Sequence, residues 1–132
     1  MVGAMLKLTP LEQTALDAIL NEEGGHRILI KNQLADVSVL SRENTGGGFF
    51  TELEVASADK PPVPKGASFG KCVWISIDGL EYGLGIILHA KNGHISLLEG
   101  YAVGPEDTSA IDFEHVRYAL AEEQRPLADN GS

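Results

Sequence analysis

The chain has 132 residues, 43% of them hydrophobic, a formal net charge of −9 and one cysteine. That length suffices for one domain with a core of its own, and a lone cysteine excludes an intrachain disulfide framework. A chain this acidic repels a phosphate backbone, which argues against nucleic-acid binding.

The charge is uneven. Residues 1–59 and 99–132 are strongly acidic, while 60–98 set Lys60, Lys65, Lys71 and Lys91 against Asp78 and Glu81. The opening MVGAMLKLTP lacks the long apolar core of a signal peptide, and the longest uncharged apolar run, YGLGIILHA, is too short to span a bilayer. These features predict a cytoplasmic protein with no membrane association. Cys72, set among apolar neighbours, is expected to act as a small buried hydrophobe.

Thr9-Pro10-Leu11-Glu12 predicts a helix start, with Thr9 as cap, Pro10 at the first helical position and Glu12 closing a capping box. Leu11, Ala15, Leu16, Ile19 and Leu20 mark one apolar face, and Gly24-Gly25 ends the helix. HRILIKNQLA, 26–35, fits a short helix or a strand, and the spacing of Ile30 and Leu34 favours the helix. The period then changes to two. Val37 and Val39, then Phe49, Thr51, Leu53 and Val55, predict two strands with Val39 facing Leu53 and Val37 facing Val55. Between them Asn44 to Gly48 form a hairpin loop. SADKPPVPKGAS, 57–68, is a proline-rich connection too short to separate a second domain from the first.

Asp78-Gly79 and Asn92-Gly93 fall between alternating apolar runs and predict two type I′ hairpins. Their register sets Ile75 against Tyr82, Val73 against Leu84, Ile86 against Glu99 and Leu84 against Tyr101. One face then gathers Val73, Ile75, Ile77, Leu80, Tyr82, Leu84, Ile86, Leu88, Ile95, Leu97 and Tyr101, and a helix must cover it. The other holds Trp74, Gly83, Gly85, Ile87, His89, Ser96, Leu98 and Gly100, with Trp74 lying over bare glycine backbone. TSAIDFEHVRYALAEEQRP is expected to form a helix with Phe113, Val116 and Leu120 as its stripe, or a strand at 112–118. Residues 126–132 are expected to fray. The predicted fold is a single α+β domain over 1–132: an antiparallel meander sheet of about five strands, with an N-terminal helix and a C-terminal helix or strand packed on it.

The three glycines of SRENTGGGFF do not read as a phosphate loop. Such a loop needs a helix after the glycines and usually a lysine, whereas FFTELEV continues as a strand with two acids. The glycines turn the chain. His26, His89, His94 and His115 are scattered without metal-ligand spacing, so no metal or cofactor is expected. His89 and Ser96 face each other across the second hairpin, but no Gly-x-Ser-x-Gly elbow is present and no acid is placed to orient the histidine. The pair reads as a polar cross-strand contact. Glu99 stands out, because the register places it on the apolar face beside Tyr82 and Tyr101. A carboxylate there needs a partner, and Arg42 is the favoured one.

The order SRENTGGGFF followed by GLEYGLGIILHAKNGHISLLEGYAVG resembles a set of small uncharacterised bacterial proteins, across residues 34 to 104. In that set an arginine-led segment runs into a Gly-Phe-Phe strand and later a Leu-Glu-Gly-Tyr strand. The resemblance implies a fold and no catalytic residue. The expected function is a non-catalytic binding module, as an inhibitor or immunity-type protein would be, docking a basic protein partner. Trp74, Ile87, His89 and Leu98 make a partly covered apolar strip for that partner or for a second copy of the chain. The alternative is a small-molecule or hydrolase-like pocket near Glu99, with Arg42, Tyr82 and Tyr101 around it.

Overall fold

The computed structural model describes residues 7–57 and 59–121. Two helices, α1 (Pro10–Glu22) and α2 (Arg27–Leu34), precede seven strands: β1 (Val37–Asn44), β2 (Gly48–Val55), β3 (Ser68–Phe69), β4 (Trp74–Ile77), β5 (Leu84–Lys91), β6 (His94–Tyr101) and β7 (Tyr118–Ala121). They form one antiparallel sheet in the order β1-β2-β6-β5-β4-β7. The short β3 meets β5 further along the edge that β4 uses.

The α+β class and the N-terminal helix are as expected, while three details differ. Among the described residues the strands number seven rather than five. The sheet is no meander, because β6 lies between β2 and β5. Among the described residues no helix forms after 109: Phe113 and Val116 reach the core from turns, and β7 then pairs along β4. The predicted strand at 112–118 therefore begins only at Tyr118, and the expected fraying of 126–132 lies outside the described residues. No helix among the described residues is long and apolar enough to cross a membrane.

Both helices lie on one face of the sheet. The capping box at the start of α1 forms as the sequence predicts, with Thr9 Oγ1 accepting from the Glu12 N–H at 3.1 Å and Glu12 Oε1 accepting from the Thr9 N–H at 2.8 Å. Leu11, Leu16 and Ile19 of α1 and Ile30 of α2 pack on Ile75, Leu84, Ile86, Leu88 and Leu98, all at most 2% exposed. Each such side chain contributes about 1.5–3 kcal/mol by leaving water. Gln33 of α2 is fully buried and fully bonded, donating to the carbonyls of Pro61 and Gly93 and accepting from the Ile95 N–H. It fixes the β5–β6 turn and the proline-rich connection to α2.

Two registers differ from expectation. At Asp78-Gly79 only Gly79 has positive φ, so the type I′ turn does not form. The Leu80 N–H bonds the Ile77 carbonyl, and pairing resumes with Ile75 opposite Leu84, two residues further on. A shift of two leaves the faces unchanged. Asn92-Gly93, with φ of 54° and 84°, does make the expected tight turn. Beyond it, however, Ala90 faces Ile95 while His89 faces Leu97, so Ser96 is an extra residue in β6. That bulge moves every later residue to the opposite face. Leu98 enters the core, Leu97 leaves it, and Glu99 stands opposite Ile87 on the outer face. The physical reason is the cost of the alternative: without the bulge a carboxylate would be sealed among aliphatic side chains.

The glycine run makes a three-residue loop, because Asn44 and Gly48 already belong to the strands. Its amides are used internally. Gly46 N–H bonds Asn44 Oδ1, Gly47 N–H bonds Thr45 Oγ1, and Gly48 N–H bonds Oγ1 of the buried Thr108. Gly48 has φ +139°, and a Cβ there would stand 1.9 Å from the Gly100 carbonyl oxygen. Gly47 has open space around it. Urea unfolding should therefore show Gly48→Ala losing about 3 kcal/mol or more, with Gly47→Ala within about 0.5 kcal/mol of the wild type. Equal losses at the two positions would contradict this account of the loop.

Candidate functional site

The sheet face away from the helices carries most of the residues singled out in the sequence. Alternation along each strand and pairing between strands arrange them in rows. One row runs Glu43, Phe50, Glu99, Ile87 across β1, β2, β6 and β5. The next runs Ser41, Glu52, Leu97, His89, Ser68, ending on β3. Glu54 and Ser38 continue the face on β2 and β1, and Lys91 stands at its far end on β5. Apolar groups thus alternate with carboxylates, and Phe50, Ile87, Leu97 and Glu99 keep part of their surface in solvent.

A third row closes one corner of this face. It runs Gly48, Tyr101, Gly85, Trp74. A Cβ on Gly85 would meet the Tyr101 ring at 2.2 Å and the Trp74 ring at 2.5 Å, so glycine there lets both aromatics lie on the backbone. Their rings meet edge to face at 5.7 Å, and Trp74 Nε1 donates to the Tyr82 carbonyl at 2.6 Å. Both carboxylate oxygens of Glu106 accept backbone N–H groups, one from Glu81 and one from Tyr82, which fixes that loop over the corner. Trp74 is buried, while Tyr101 is half-buried.

Glu99 does not pair with Arg42. It pairs with His89, Nε2 to Oε1 at 2.8 Å, with both side chains partly exposed. The expectation that no acid orients His89 is therefore also corrected: the bulge brings Glu99 to it. Ser96 does not touch the imidazole, since its hydroxyl bonds only the His89 backbone carbonyl at 3.5 Å. Ser68 is opposite His89 on β3, again without a hydrogen bond to the ring. Among the described residues this histidine–carboxylate pair has no hydroxyl or thiol nucleophile bonded to it. Cys72 is exposed rather than buried, its N–H bonded to Glu22 at the end of α1.

Arg42 points to the helix side instead. Its Nε donates to Glu12 Oε2 at 2.7 Å and its Nη2 to Glu12 Oε1 at 2.8 Å, and Nη2 also donates to the Lys7 carbonyl. Thr51 donates to Glu12 Oε2 at 2.7 Å. With the capping bond from Thr9, four donors meet a carboxylate only 3% exposed. Burial pushes the Glu12 carboxyl up, but the bonds from Arg42, Thr51 and Thr9 outweigh it and hold the group below its ordinary value. The Glu12 hydrogen bond in turn raises Arg42. The sequence signal for this pair is hidden, because a helix cap already accounts for Glu12.

Above this pair lies a cleft of about 210 Å³, between the start of α1, the end of β1 and residues 111–114. Leu11, Glu12, Phe49 and Thr51 form its buried floor, Ile111 and Phe113 its wall, and Asp112 and Glu114 its rim, with Glu43 at the β1 edge. Phe49 and Phe113 stand 5.2 Å apart, tilted. Asp112, Glu114 and His115 bring ligand atoms within 4.8 Å of one another, but all three are exposed and Asp112 and His115 already bond each other at 2.7 Å. That bond holds Asp112 below its ordinary range and raises His115. The cleft is on the opposite side of the sheet from Glu99, Tyr82, Tyr101, Trp74 and His89, and of the expected site residues only Arg42 lines it.

Comparison with protein-family models, curated proteins and solved structures returns no match. The resemblance of residues 34–104 to small bacterial proteins is thereby neither supported nor opposed.

The two carboxylates should behave differently. Glu12→Gln removes the negative charge and one of the two acceptor oxygens that hold the partly buried Arg42 guanidinium, and should cost about 3 kcal/mol in thermal or urea unfolding, non-additively with Arg42→Met. Glu99→Gln, in a half-exposed pair, should cost less than about 1 kcal/mol. Because Glu12 has a depressed folded value, its contribution is present above the ordinary 4.5 and fades as pH falls through the folded value. Wild-type stability should thus fall across that acid window more steeply than that of Glu12→Gln. A Glu99→Gln variant less stable than Glu12→Gln would reverse the assignment.

Proposed function

We propose that the protein is a non-catalytic binding module that docks a basic protein partner on the outer face of its sheet, in the manner of an inhibitor or immunity-type protein. The observation that carries this reading is the pair of rows across β1, β2, β6 and β5. Phe50, Leu97 and Ile87 offer apolar contact, while Glu43, Glu52, Glu54 and Glu99 surround them with negative charge. Such a surface combines desolvation at its centre with steering by charge at its rim. It is a sheet face rather than a hollow, as docking of a protein surface needs. A second copy of the chain suits it less well, since a two-fold arrangement sets the same acids against one another.

The pocket reading at Glu99 draws no comparable support. The cleft described above is on the other side, and the His89–Glu99 pair has no bonded nucleophile among the described residues. Immobilised protein should retain from native-cell extract a protein of net positive charge, released in about 1 M salt, where charges are screened beyond about 3 Å. Glu52→Lys with Glu99→Lys should abolish retention without unfolding the protein, as followed by circular dichroism. Retention unchanged by the double reversal, or of acidic proteins only, would refute the assignment of this face.

A further inference from the structure

The cleft at α1 is not used by the docking face described above, yet it is built for an occupant of definite chemistry. Its floor reaches Leu11, Phe49 and Glu12, each at most 5% exposed, so it is a true recess and not a dimple between surface side chains. At about 210 Å³ it is smaller than the roughly 300–1,000 Å³ of pockets for whole ligands, and suits one long side chain. Phe113 and Ile111 provide an apolar wall for a methylene stem.

The charges select the head group. Arg42 faces the cleft, but Glu12 binds it at two points, so the pair is neutral as a unit. That leaves Asp112 and Glu114 on the rim, with Glu43 at the β1 edge in the outer-face row and His115 bonded to Asp112 alone. Glu114 is 3.8 Å from Arg42 Nη1 and more than half exposed, so most of its charge faces outward. An anion would meet the carboxylates of Asp112 and Glu114. A cation on an apolar stem meets complementary charge at the mouth and apolar surface within.

The cleft is also continuous with the proposed docking surface. Glu43 lines the cleft and is the β1 partner of Phe50, the apolar residue beside Glu99. We infer that this cleft receives a lysine or arginine side chain of the basic partner, which wraps over the β1 edge to place it there. Long cationic side chains that bury their stems and keep their heads at a charged rim are well suited to this role, and such anchors carry much of the affinity of an interface.

This inference rests on the basic-partner reading, but its test addresses the cleft alone. The full chain, isotope-labelled, is titrated at low salt with Nα-acetyl-lysine methylamide, Nα-acetyl-arginine methylamide and the neutral Nα-acetyl-norleucine methylamide, and followed by NMR. Saturable shifts at Ile111, Phe113 and Glu114 are expected with a cationic probe. The neutral probe should bind about tenfold more weakly or not at all, and Glu114→Gln should weaken the cationic probe about fivefold, as for loss of one half-exposed charge contact. Equal binding of the norleucine probe would assign the cleft to an apolar occupant and overturn the inference. So would the absence of saturable shifts with either cation, or shifts confined to the outer sheet face. Retention unchanged on reversing Glu52 and Glu99, with probe binding intact, would be failure of the face alone, whereas retention lost on that reversal with no probe binding to the wild type would be failure of the cleft alone.

Discussion

The fold depends on one buried carboxylate. Glu12 caps its own helix, holds the β1 guanidinium of Arg42 in a two-point bond and accepts the β2 hydroxyl of Thr51. Helix α1 is thereby fixed to the two strands at one end of the sheet, while aliphatic packing dominates its contact with the rest. A buried charge with four donors is satisfied; without the guanidinium among them it would be a liability. The position of the cleft follows from this arrangement, since its floor is the pair itself and its wall is the chain that returns past Phe113.

A second constraint separates the two faces of the sheet. The extra residue at Ser96 lets Ile95 and Leu98 both point to the helices and sends Leu97 and Glu99 outward. Below the bulge, Phe49 covers Gly100 on the core side, while Tyr101 covers Gly85 on the other. Aromatic rings thus lie on a glycine on each face, Phe49 on Gly100 and both Tyr101 and Trp74 on Gly85. The core is sealed, the Trp74 corner is rigid, and the surface between Phe50 and His89 carries acids and half-exposed apolar groups together.

Much of this is legible in the sequence because the signals are local. The Thr9–Glu12 capping box, the Asn92-Gly93 turn and the pairing of Val37 and Val39 with Val55 and Leu53 each rest on a few neighbouring residues. The failures are non-local. Leu97 and Leu98 are equally good core residues by pattern, and only the cost of burying Glu99 decides between them. Asp78-Gly79 reads as a hairpin turn until Glu106 and Arg117, far along the chain, take the amides of Glu81, Tyr82 and Asp78. The segment after 109 has a helical stripe in Phe113 and Val116, yet the open edge of β4 offers backbone bonds that β7 takes. Glu99 and Arg42 each need a hydrogen-bonding partner, but the bulge gives Glu99 to His89 and the helix cap gives Glu12 to Arg42.

The central claim is that the sheet presents an open acidic and apolar surface between β2 and β5, opposite the helices. Solvent relaxation enhancement by a neutral gadolinium chelate, read on methyl and aromatic signals of the free protein, tests it directly. Strong broadening is expected for Leu97, Ile87 and Phe50 and little for Leu98, Ile86 and Leu88, their neighbours on the other face. Protection of Leu97 and Ile87 equal to that of Leu98 and Ile86 would mean that the surface is already covered in the free protein, and would contradict the account.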